Sequence, residues 1–204
     1  MYTKTKIFNL ALSALLLTKQ VADADSDTST ECRTLNLHWD TALFTTLQDL
    51  NLDGTSSQMN LELEATDPNT LWKYAYKYPT KCAYFRRIQS GVRKDTRSTQ
   101  IPMRTGMIGS SKVIFCNESP AIGEFIPSDI SIPSLSASAG LCVAYALAQL
   151  AAPLVAGKYT LKIKQDIVNS YGLQKMNAQE QDRLENATFD TDEEMSEFVE
   201  ARLS

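Results

Sequence analysis

A run of alternating aromatic residues near the middle of the chain restricts the fold more than any other sequence feature. Every second position carries an aromatic side chain: Trp72, Tyr74, Tyr76 and Tyr78. Strand side chains alternate between the two faces of a sheet, so this spacing predicts a strand with one aromatic face. Pro79 ends the strand, because proline lacks the N–H that a sheet ladder needs. The aromatic face either packs in a core or walls a cavity, and the spacing fits both.

Other segments also show the pattern of strands. Met59, Leu61 and Leu63 alternate with polar residues, and a turn at residues 67–69 leads from them into the aromatic strand. Two alternating strands joined by a turn predict an antiparallel pair. Shorter strands are predicted over residues 35–39, 113–116, 123–132 and 158–164.

Two segments are predicted to be helical. Residues 141–152 are uncharged and rich in Ala and Leu, which favours a buried helix that ends at Pro153. Near the C-terminus, Thr191 and Glu194 form a capping box that precedes apolar residues at helical spacing. Residues 173–204 are strongly acidic. We expect them to form a partly helical or disordered tail outside the main domain.

The N-terminus has the pattern of a secretory signal peptide. Lys4 and Lys6 precede an apolar run, and Ala22 and Ala24 provide the small residues of a cleavage site. The predicted organisation is a signal peptide over 1–24, a β-domain over 25–172 and the tail over 173–204. The expected location is therefore secreted, extracellular or lumenal. The apolar run is too short to span a bilayer, and we expect no transmembrane anchor.

Four cysteines follow the predicted cleavage site: Cys32, Cys82, Cys116 and Cys142. An even number of cysteines in an exported chain predicts two disulfides, and the sequence leaves all three connectivities open. Asn186 begins an Asn-Ala-Thr sequence, which predicts a glycosylation site.

Charge is distributed unevenly along the chain. The acidic excess lies in the tail and residues 25–172 are balanced, so we expect no nucleic-acid partner. Residues 86–97 are locally basic. They predict either a solvated loop around Gly91 or a site for an anionic headgroup or other partner, formed by four side chains: Arg86, Arg87, Arg93 and Lys94.

The sequence is poor in the residues of catalytic and metal sites. His38 is the only histidine, and a catalytic triad would have to use it. Its position between Leu37 and Trp39 in the predicted first strand turns its side chain toward solvent. No pair of cysteines has the spacing of a zinc site. We expect no enzymatic activity, no cofactor and no bound metal.

The order of several short motifs resembles the ML lipid-recognition family, nearest its ganglioside-activator branch and the related insect secreted proteins. The motifs, which span roughly residues 32–170, are the following: His38-Trp39-Asp40, residues 61–64 leading to Leu71-Trp72, Pro79 and Cys82, Cys116 followed by residues 123–125, and Pro153 followed by residues 157–159. The resemblance implies a mainly β, immunoglobulin-like antiparallel sandwich whose sheets part to hold acyl chains. It also implies disulfides that pair Cys82 with Cys116 and Cys32 with Cys142.

The sequence therefore predicts a secreted, non-enzymatic protein that binds or presents lipid between two sheets. Burial of acyl chains contributes ~0.8 kcal/mol per methylene group and needs no catalytic residue. The predicted ligand-binding residues are Trp72, Tyr74, Tyr76, Tyr78, Phe125, Ile130 and Ile132. The alternative is a secreted β-sandwich with a packed core, which binds a protein or glycan through loops such as residues 86–97.

Overall fold

The structure is a computed structural model that describes residues 2–91, 99–155 and 161–185. Its helices are α1 (Lys4–Ala14), α2 (Thr30–Leu50), α3 (Ala137–Val155) and α4 (Leu161–Glu185). Its strands are β1 (Ser57–Asn60), β2 (Leu63–Asn69), β3 (Trp72–Lys77), β4 (Cys82–Ile88), β5 (Met103–Ile108), β6 (Ser111–Cys116) and β7 (Ile122–Pro127). The fold is thus mixed α and β, with more helix than the mainly β prediction.

The four helices share one large apolar cluster. α3 packs against each of the other three. Phe8 of α1 meets Trp39 of α2 edge to face, with ring centroids 5.7 Å apart. Gly140 of α3 lies so close to the Tyr2 ring that an added Cβ would be 2.8 Å from it, so a larger residue there would force the two segments apart. This cluster is the main core of the protein.

Helix α2 replaces the strand predicted over residues 35–39. Leu35 is fully buried and Trp39 is 9% exposed, whereas Leu37 between them is 72% exposed. The buried face continues at helical spacing through Leu43 and Leu47. Ser29 caps the helix by accepting a hydrogen bond from the Cys32 N–H, as N-cap serines do. The prediction was wrong because Leu35 and Trp39 are four residues apart, a spacing that places two residues on one face in a strand and also in a helix.

The strands form two antiparallel sheets. One has the order β1-β7-β4 and the other the order β2-β3-β6-β5. The predicted aromatic strand is β3, and its antiparallel pairing with β2 is confirmed. The single strand predicted around Met59 is divided, since β1 and β2 belong to different sheets. Buried Leu61 lies between them.

Both faces of β7 are covered, which places the three-stranded sheet between two apolar clusters. Phe125 belongs to a cluster that joins the two sheets. Ile126, the next residue, belongs to the helical core. A Cβ at Gly123 would lie 2.7 Å from the side chains of Leu61 and Phe85, so the absence of a side chain lets these two residues cross the strand. Successive side chains of β7 thus point to opposite faces, one toward the sheet cluster and the next toward the helical core.

A buried ion-pair network ties β7 to β4. Glu124 is 3% exposed, and its two carboxylate oxygens accept hydrogen bonds from Arg86 at 2.6 Å and Arg87 at 2.9 Å. Consecutive strand residues normally face opposite sides. Here the register shifts between Phe85 and Arg87, and this irregularity lets both arginines reach one carboxylate. Arg86 also pairs with Asp53 in the 3₁₀ turn that follows α2.

Helix α4 begins within a predicted strand and runs past the predicted start of the tail. Residues 161–164 begin the helix, so the strand predicted over 158–164 is wrong in its described part; residues 158–160 lie outside the described residues. The helix continues through the predicted domain boundary at 172/173 without a break. Ala178 is buried, and the Asp182 carboxylate accepts hydrogen bonds from the N–H groups of Asp53 and Gly54. Truncation after Gly172 would therefore remove packed residues.

The predicted helix over 141–152 is confirmed as the central part of α3. By length and composition alone, α3 is the one described helix that could cross a membrane, with 19 residues and a mean hydropathy of 1.6. Half of this stretch is buried in the fold. Pro153 lies inside its last turn, so the helix ends two residues later than predicted.

Helix α1 lies within the predicted signal peptide. Four of its residues are fully buried in the helical core: Ile7, Phe8, Ala11 and Leu12. Ala24, the residue before the predicted cleavage point, is 1% exposed. Its N–H donates to Thr5 Oγ1, and its carbonyl accepts from the Asn36 amide. Cleavage after Ala24 stays a prediction; in this fold it would cut the covalent link between α1 and the rest of the helical core.

All four cysteines are free thiols in the structure. Cys82 and Cys116 both contact the cluster that joins the sheets. Cys32 lies in the first turn of α2, whereas Cys142 contacts Tyr171, whose hydroxyl donates to Asp49 at the other end of α2. Those two ends are about 25 Å apart at 1.5 Å per residue. The two predicted disulfides stay predictions, and a Cys32–Cys142 bridge would require the helices to move.

We expect replacement of Glu124 by alanine to lower the free energy of unfolding by roughly 3–5 kcal/mol, because it leaves two arginines without their shared carboxylate in a buried place. Urea unfolding measures this change. Asp129→Ala is the control, since the Lys81–Asp129 pair is largely exposed and its loss should cost about 0–1 kcal/mol. Equal losses for the two variants would contradict the role given to Glu124.

Thiol titration tests the placement of the cysteines. In the folded protein we expect slow reaction at pH 8, because burial raises the pKa of all four thiols, that of Cys142 to about 12. After unfolding without reductant, Cys32 and Cys142 should react. An unfolded chain in which neither of these two cysteines reacts would contradict their separation in the structure.

Candidate functional site

The structure brings together only part of the predicted aromatic ligand site. Tyr74, Tyr76 and Tyr78 contact the cluster that joins the sheets, and Phe125 reaches it from the other sheet, as predicted. Trp72 instead packs against a small cluster that contains Ala75, Val113 and Phe115. Ile130 and Ile132 pack against the helical core. The predicted set therefore belongs to three different clusters.

Side chains from both sheets form one buried apolar cluster. Tyr76 is 2% exposed, and its hydroxyl donates a hydrogen bond to the Glu118 carbonyl at 2.9 Å. Phe85 lies 6.1 Å from Tyr78, centroid to centroid, and Ile88 and Ile114 are fully buried. This packing favours the packed-core interpretation of the aromatic strand over a cavity at this place.

The predicted basic site is also divided. Arg86 and Arg87 lie in β4 and pair with Glu124, and the Arg86 side chain is only 13% exposed. Their charge is therefore compensated within the fold. Arg93 and Lys94 lie outside the described residues, as does the predicted glycosylation site at Asn186.

A groove between α2, α3 and α4 has mainly apolar walls. Its volume is about 370 Å³. We call it the helix groove and define it by its lining residues: Thr41, Thr45, Thr46 and Asp49 of α2, Ala146, Gln149 and Leu150 of α3, and Val168 and Tyr171 of α4. Ligand pockets are typically of this volume or larger and have mainly apolar walls.

Two wider depressions are lined by more polar groups. One, at the β2–β3 turn, is bordered by Asp67, Lys73 and Asn117. The other, near Tyr78 and Lys112, lies where the lysine ammonium is 3.6 Å from the tyrosine ring centroid. Both are more open to solvent than the helix groove, so they would enclose a ligand less completely.

One end of the helix groove is closed by a polar cluster. Asp49 accepts hydrogen bonds from the Tyr171 hydroxyl at 2.7 Å and from the Lys175 ammonium at 2.6 Å. Partial burial raises the pKa of Asp49, but these two bonds outweigh it and the pKa lies below its usual value. Burial and the bond to Asp49 raise the pKa of Tyr171. At neutral pH the cluster therefore contains a carboxylate, an ammonium and a neutral phenol.

A buried hydroxyl without a hydrogen-bond partner lies next to this cluster. Thr46 is 1% exposed and lies near the Tyr171 phenol, but its Oγ1 makes no hydrogen bond of good geometry in the described structure. His38 Nε2, about two turns earlier on α2, is likewise buried and unpaired. An unpaired buried polar group costs about 1–3 kcal/mol, so a ligand that pairs with Thr46 would recover part of that cost.

The other end of the helix groove is open and apolar. Leu150 is 37% and Val168 is 42% exposed. Leu154, one turn further along α3, and Leu161, two turns before Val168 on α4, are 63% and 86% exposed. Because α3 and α4 are consecutive antiparallel neighbours, these leucines extend the apolar walls toward solvent.

This site was not predicted from the sequence, because residues 35–39 in α2 and residues 158–164 at the start of α4 were predicted as strands. Once α2 is recognised, Thr41, Thr45 and Asp49 follow each other at a spacing of four residues, which places them on one helical face. Val168, Tyr171 and Lys175 have the same kind of spacing on α4. Recognition of the Ser29 N-cap was the signal that could have revealed the first of these helices.

Among the described residues, no group of three His, Cys, Asp or Glu side chains could hold a metal ion. No protein-family model matches this chain, and no curated protein is significantly similar to it. Membership of the ML lipid-recognition family stays a prediction.

We expect Thr46→Val to leave the protein equally stable or to raise the free energy of unfolding by about 1 kcal/mol, because a methyl group replaces a buried, unpaired hydroxyl of the same shape. Thermal or urea unfolding provides the measurement. Thr34→Val on the same helix is the matched control. The Thr34 hydroxyl donates to the Thr30 carbonyl at 2.9 Å, so its loss should destabilise by about 1 kcal/mol. A similar loss of stability in both variants would show that the Thr46 hydroxyl is hydrogen-bonded in solution.

Proposed function

We propose that this protein is a non-enzymatic binding protein that takes a single apolar chain with an uncharged polar end in the helix groove. The observation that carries the proposal is the combination of apolar walls with the buried, unpaired Thr46 hydroxyl at their inner end. Lipid remains the proposed ligand class, as the sequence predicted, but the proposed site lies between helices.

The chemistry of the inner end favours a neutral polar group on the ligand. The Thr46 hydroxyl can donate or accept one hydrogen bond. Asp49 next to it is already bound by Lys175 and Tyr171, and its carboxylate would repel a second anion. A hydroxyl or amide group therefore fits this end better than a free carboxylate. Each methylene group buried along the walls would contribute ~0.8 kcal/mol.

In this proposal the two sheets are a scaffold that forms a small β-sandwich without a ligand. Supporting it, one apolar cluster contains residues of both sheets, and the largest of them are nearly fully buried. Arg86 of the sandwich pairs with Asp53 in the 3₁₀ turn. The same turn contacts α4 through Asp182.

A titration of the full chain with N-phenyl-1-naphthylamine, an uncharged apolar fluorophore, tests the site. We expect the probe to bind, and we expect Ala146→Phe to weaken binding at least tenfold because the added ring fills the helix groove. Ala137→Phe is the matched control, since Ala137 is exposed on the same helix and lies outside the groove. Circular dichroism confirms that both variants are folded.

A second pair of variants separates the helix groove from a site between the sheets. Ile114→Val should cost about 0.5–1.5 kcal/mol of stability and leave probe affinity unchanged, because Ile114 is buried in the sheet cluster. Thr46→Val should weaken a long-chain alcohol more than the probe. If Ile114→Val reduces affinity and Ala146→Phe does not, the ligand lies between the sheets. Absence of any binding would favour the alternative, a packed module that binds a partner through its surface.

A further inference from the structure

We propose that the open end of the helix groove docks on the surface of an anionic lipid bilayer. The contact surface is formed by four exposed apolar side chains, which we call the groove rim: Leu150 and Leu154 of α3, and Leu161 and Val168 of α4. Two exposed lysines accompany it in the first turn of α4, Lys162 and Lys164. The docking does not depend on a bound ligand. Its consequence, the transfer of an apolar chain between bilayer and groove, rests on the proposed function.

Helical geometry places the rim residues at one end of the groove. Leu150 and Val168 line the groove itself. Leu154 lies one turn further along α3, and Leu161 lies two turns earlier on α4. Because α3 and α4 are antiparallel neighbours, both steps lead out of the groove in the same direction. Residues four and seven apart share a helical face, so the rim continues the groove walls as surface that the fold does not cover.

Lys164 lies on the groove side of α4. It follows Leu161 by three residues and precedes Val168 by four, and Tyr171, which lines the groove, comes seven residues later. These spacings place all four on one helical face. Neither Lys164 nor Lys162 forms an ion pair with another described residue. Both ammonium groups are therefore available to lipid phosphates, and their long stems let them stay at the headgroups while the leucines lie deeper.

The acidic residues nearest to the rim lie on other helical faces. Asp166 of α4 is exposed, but at 100° per residue it is turned about 140° from Leu161 and about 160° from Val168. Asp40 of α2 is exposed and is turned about 100° from its neighbour Thr41, which lines the groove. α3 contains no charged residue. A bilayer at the rim would therefore meet leucines and lysines without burying a carboxylate of these helix faces.

The charge of the whole chain does not explain attraction to an anionic surface. The net charge is −4, and the acidic excess belongs to residues 173–204, of which 186–204 lie outside the described residues. The attraction would have to be local. Helices that bind bilayer surfaces combine leucines with lysines in this way, and anionic lipids attract lysines near the surface. A chain that enters the groove through its docked open end would not cross water, which connects this surface to the site.

Sedimentation of the full chain with vesicles tests the docking. Vesicles of equal parts phosphatidylglycerol and phosphatidylcholine are compared with vesicles of phosphatidylcholine alone. We expect tighter binding to the anionic vesicles and weaker binding at high salt. Leu154→Ser with Leu161→Ser should weaken binding roughly tenfold, because both side chains lose apolar contact with the bilayer. Lys162→Gln with Lys164→Gln should weaken binding to the anionic vesicles roughly tenfold as well.

Two matched double variants control for general surface effects. Leu173→Ser with Leu184→Ser removes two leucines of the same helix, which are 58% and 60% exposed. Lys73→Gln with Lys81→Gln changes the net charge by the same amount at exposed positions near the sheets. Both should bind vesicles like the unmodified chain, and circular dichroism verifies that all variants are folded. Equal losses in rim and control variants, or equal binding to the two kinds of vesicle, would overturn the docking.

Two measurements without vesicles separate the remaining possibilities. If sedimentation equilibrium shows a dimer that Leu154→Ser with Leu161→Ser abolishes, and no vesicle binding occurs, the rim contacts a second copy and the bilayer docking is overturned. Titration with N-phenyl-1-naphthylamine reports on the groove alone. Probe binding without vesicle binding would overturn the docking and leave the proposed function standing. Vesicle binding that depends on the rim, without probe binding, would support the docking and overturn the proposed ligand site.

Discussion

The arrangement of sheets and helices depends on the ion pairs of the buried Glu124 carboxylate. It binds two arginines of β4, and one of them continues to Asp53, in the turn after α2. The backbone of that turn donates to Asp182 of α4. A single polar chain thus runs from the three-stranded sheet to the last described helix. Isolated buried charges are costly. These connected ion pairs and hydrogen bonds therefore favour one register of β4 against β7 and one position of α4.

The sizes of the facing side chains explain why the apolar groove lies among the helices. The cluster that joins the sheets contains the aromatic residues Tyr76, Phe85 and Phe125, which are at most 8% exposed. On the helical side, the residues of α2 that face α4 are small or polar: Thr41, Thr45 and Asp49. Small side chains on helices that are fixed by other contacts leave space that the fold cannot close. The polar cluster of Asp49, Tyr171 and Lys175 holds α4 against α2 and keeps that space from collapsing.

The sequence predicted best where one period extends over many residues. The aromatic strand and the apolar helix around Leu147 were found because their patterns are long and their alternatives are poor. Residues 35–39 and 158–164 were assigned wrongly, since a short alternating stretch also fits one turn of an amphipathic helix. The helix groove could not be predicted, because it depends on how three helices pack. The pairing of both Arg86 and Arg87 with Glu124 across a register shift could not be predicted either, because the two arginines have the sequence pattern of a charged loop.

The packing of α1 has a consequence for proteolytic processing. The helix is held by buried side chains and by the hydrogen bond from the Ala24 N–H to Thr5 Oγ1, and neither requires an intact peptide bond after Ala24. A peptidase cut there after folding would leave α1 in place as a bound peptide. The product would then be a two-chain complex, and its melting temperature would depend on protein concentration. The remaining chain would be a receptor that a synthetic peptide of the α1 sequence could complement.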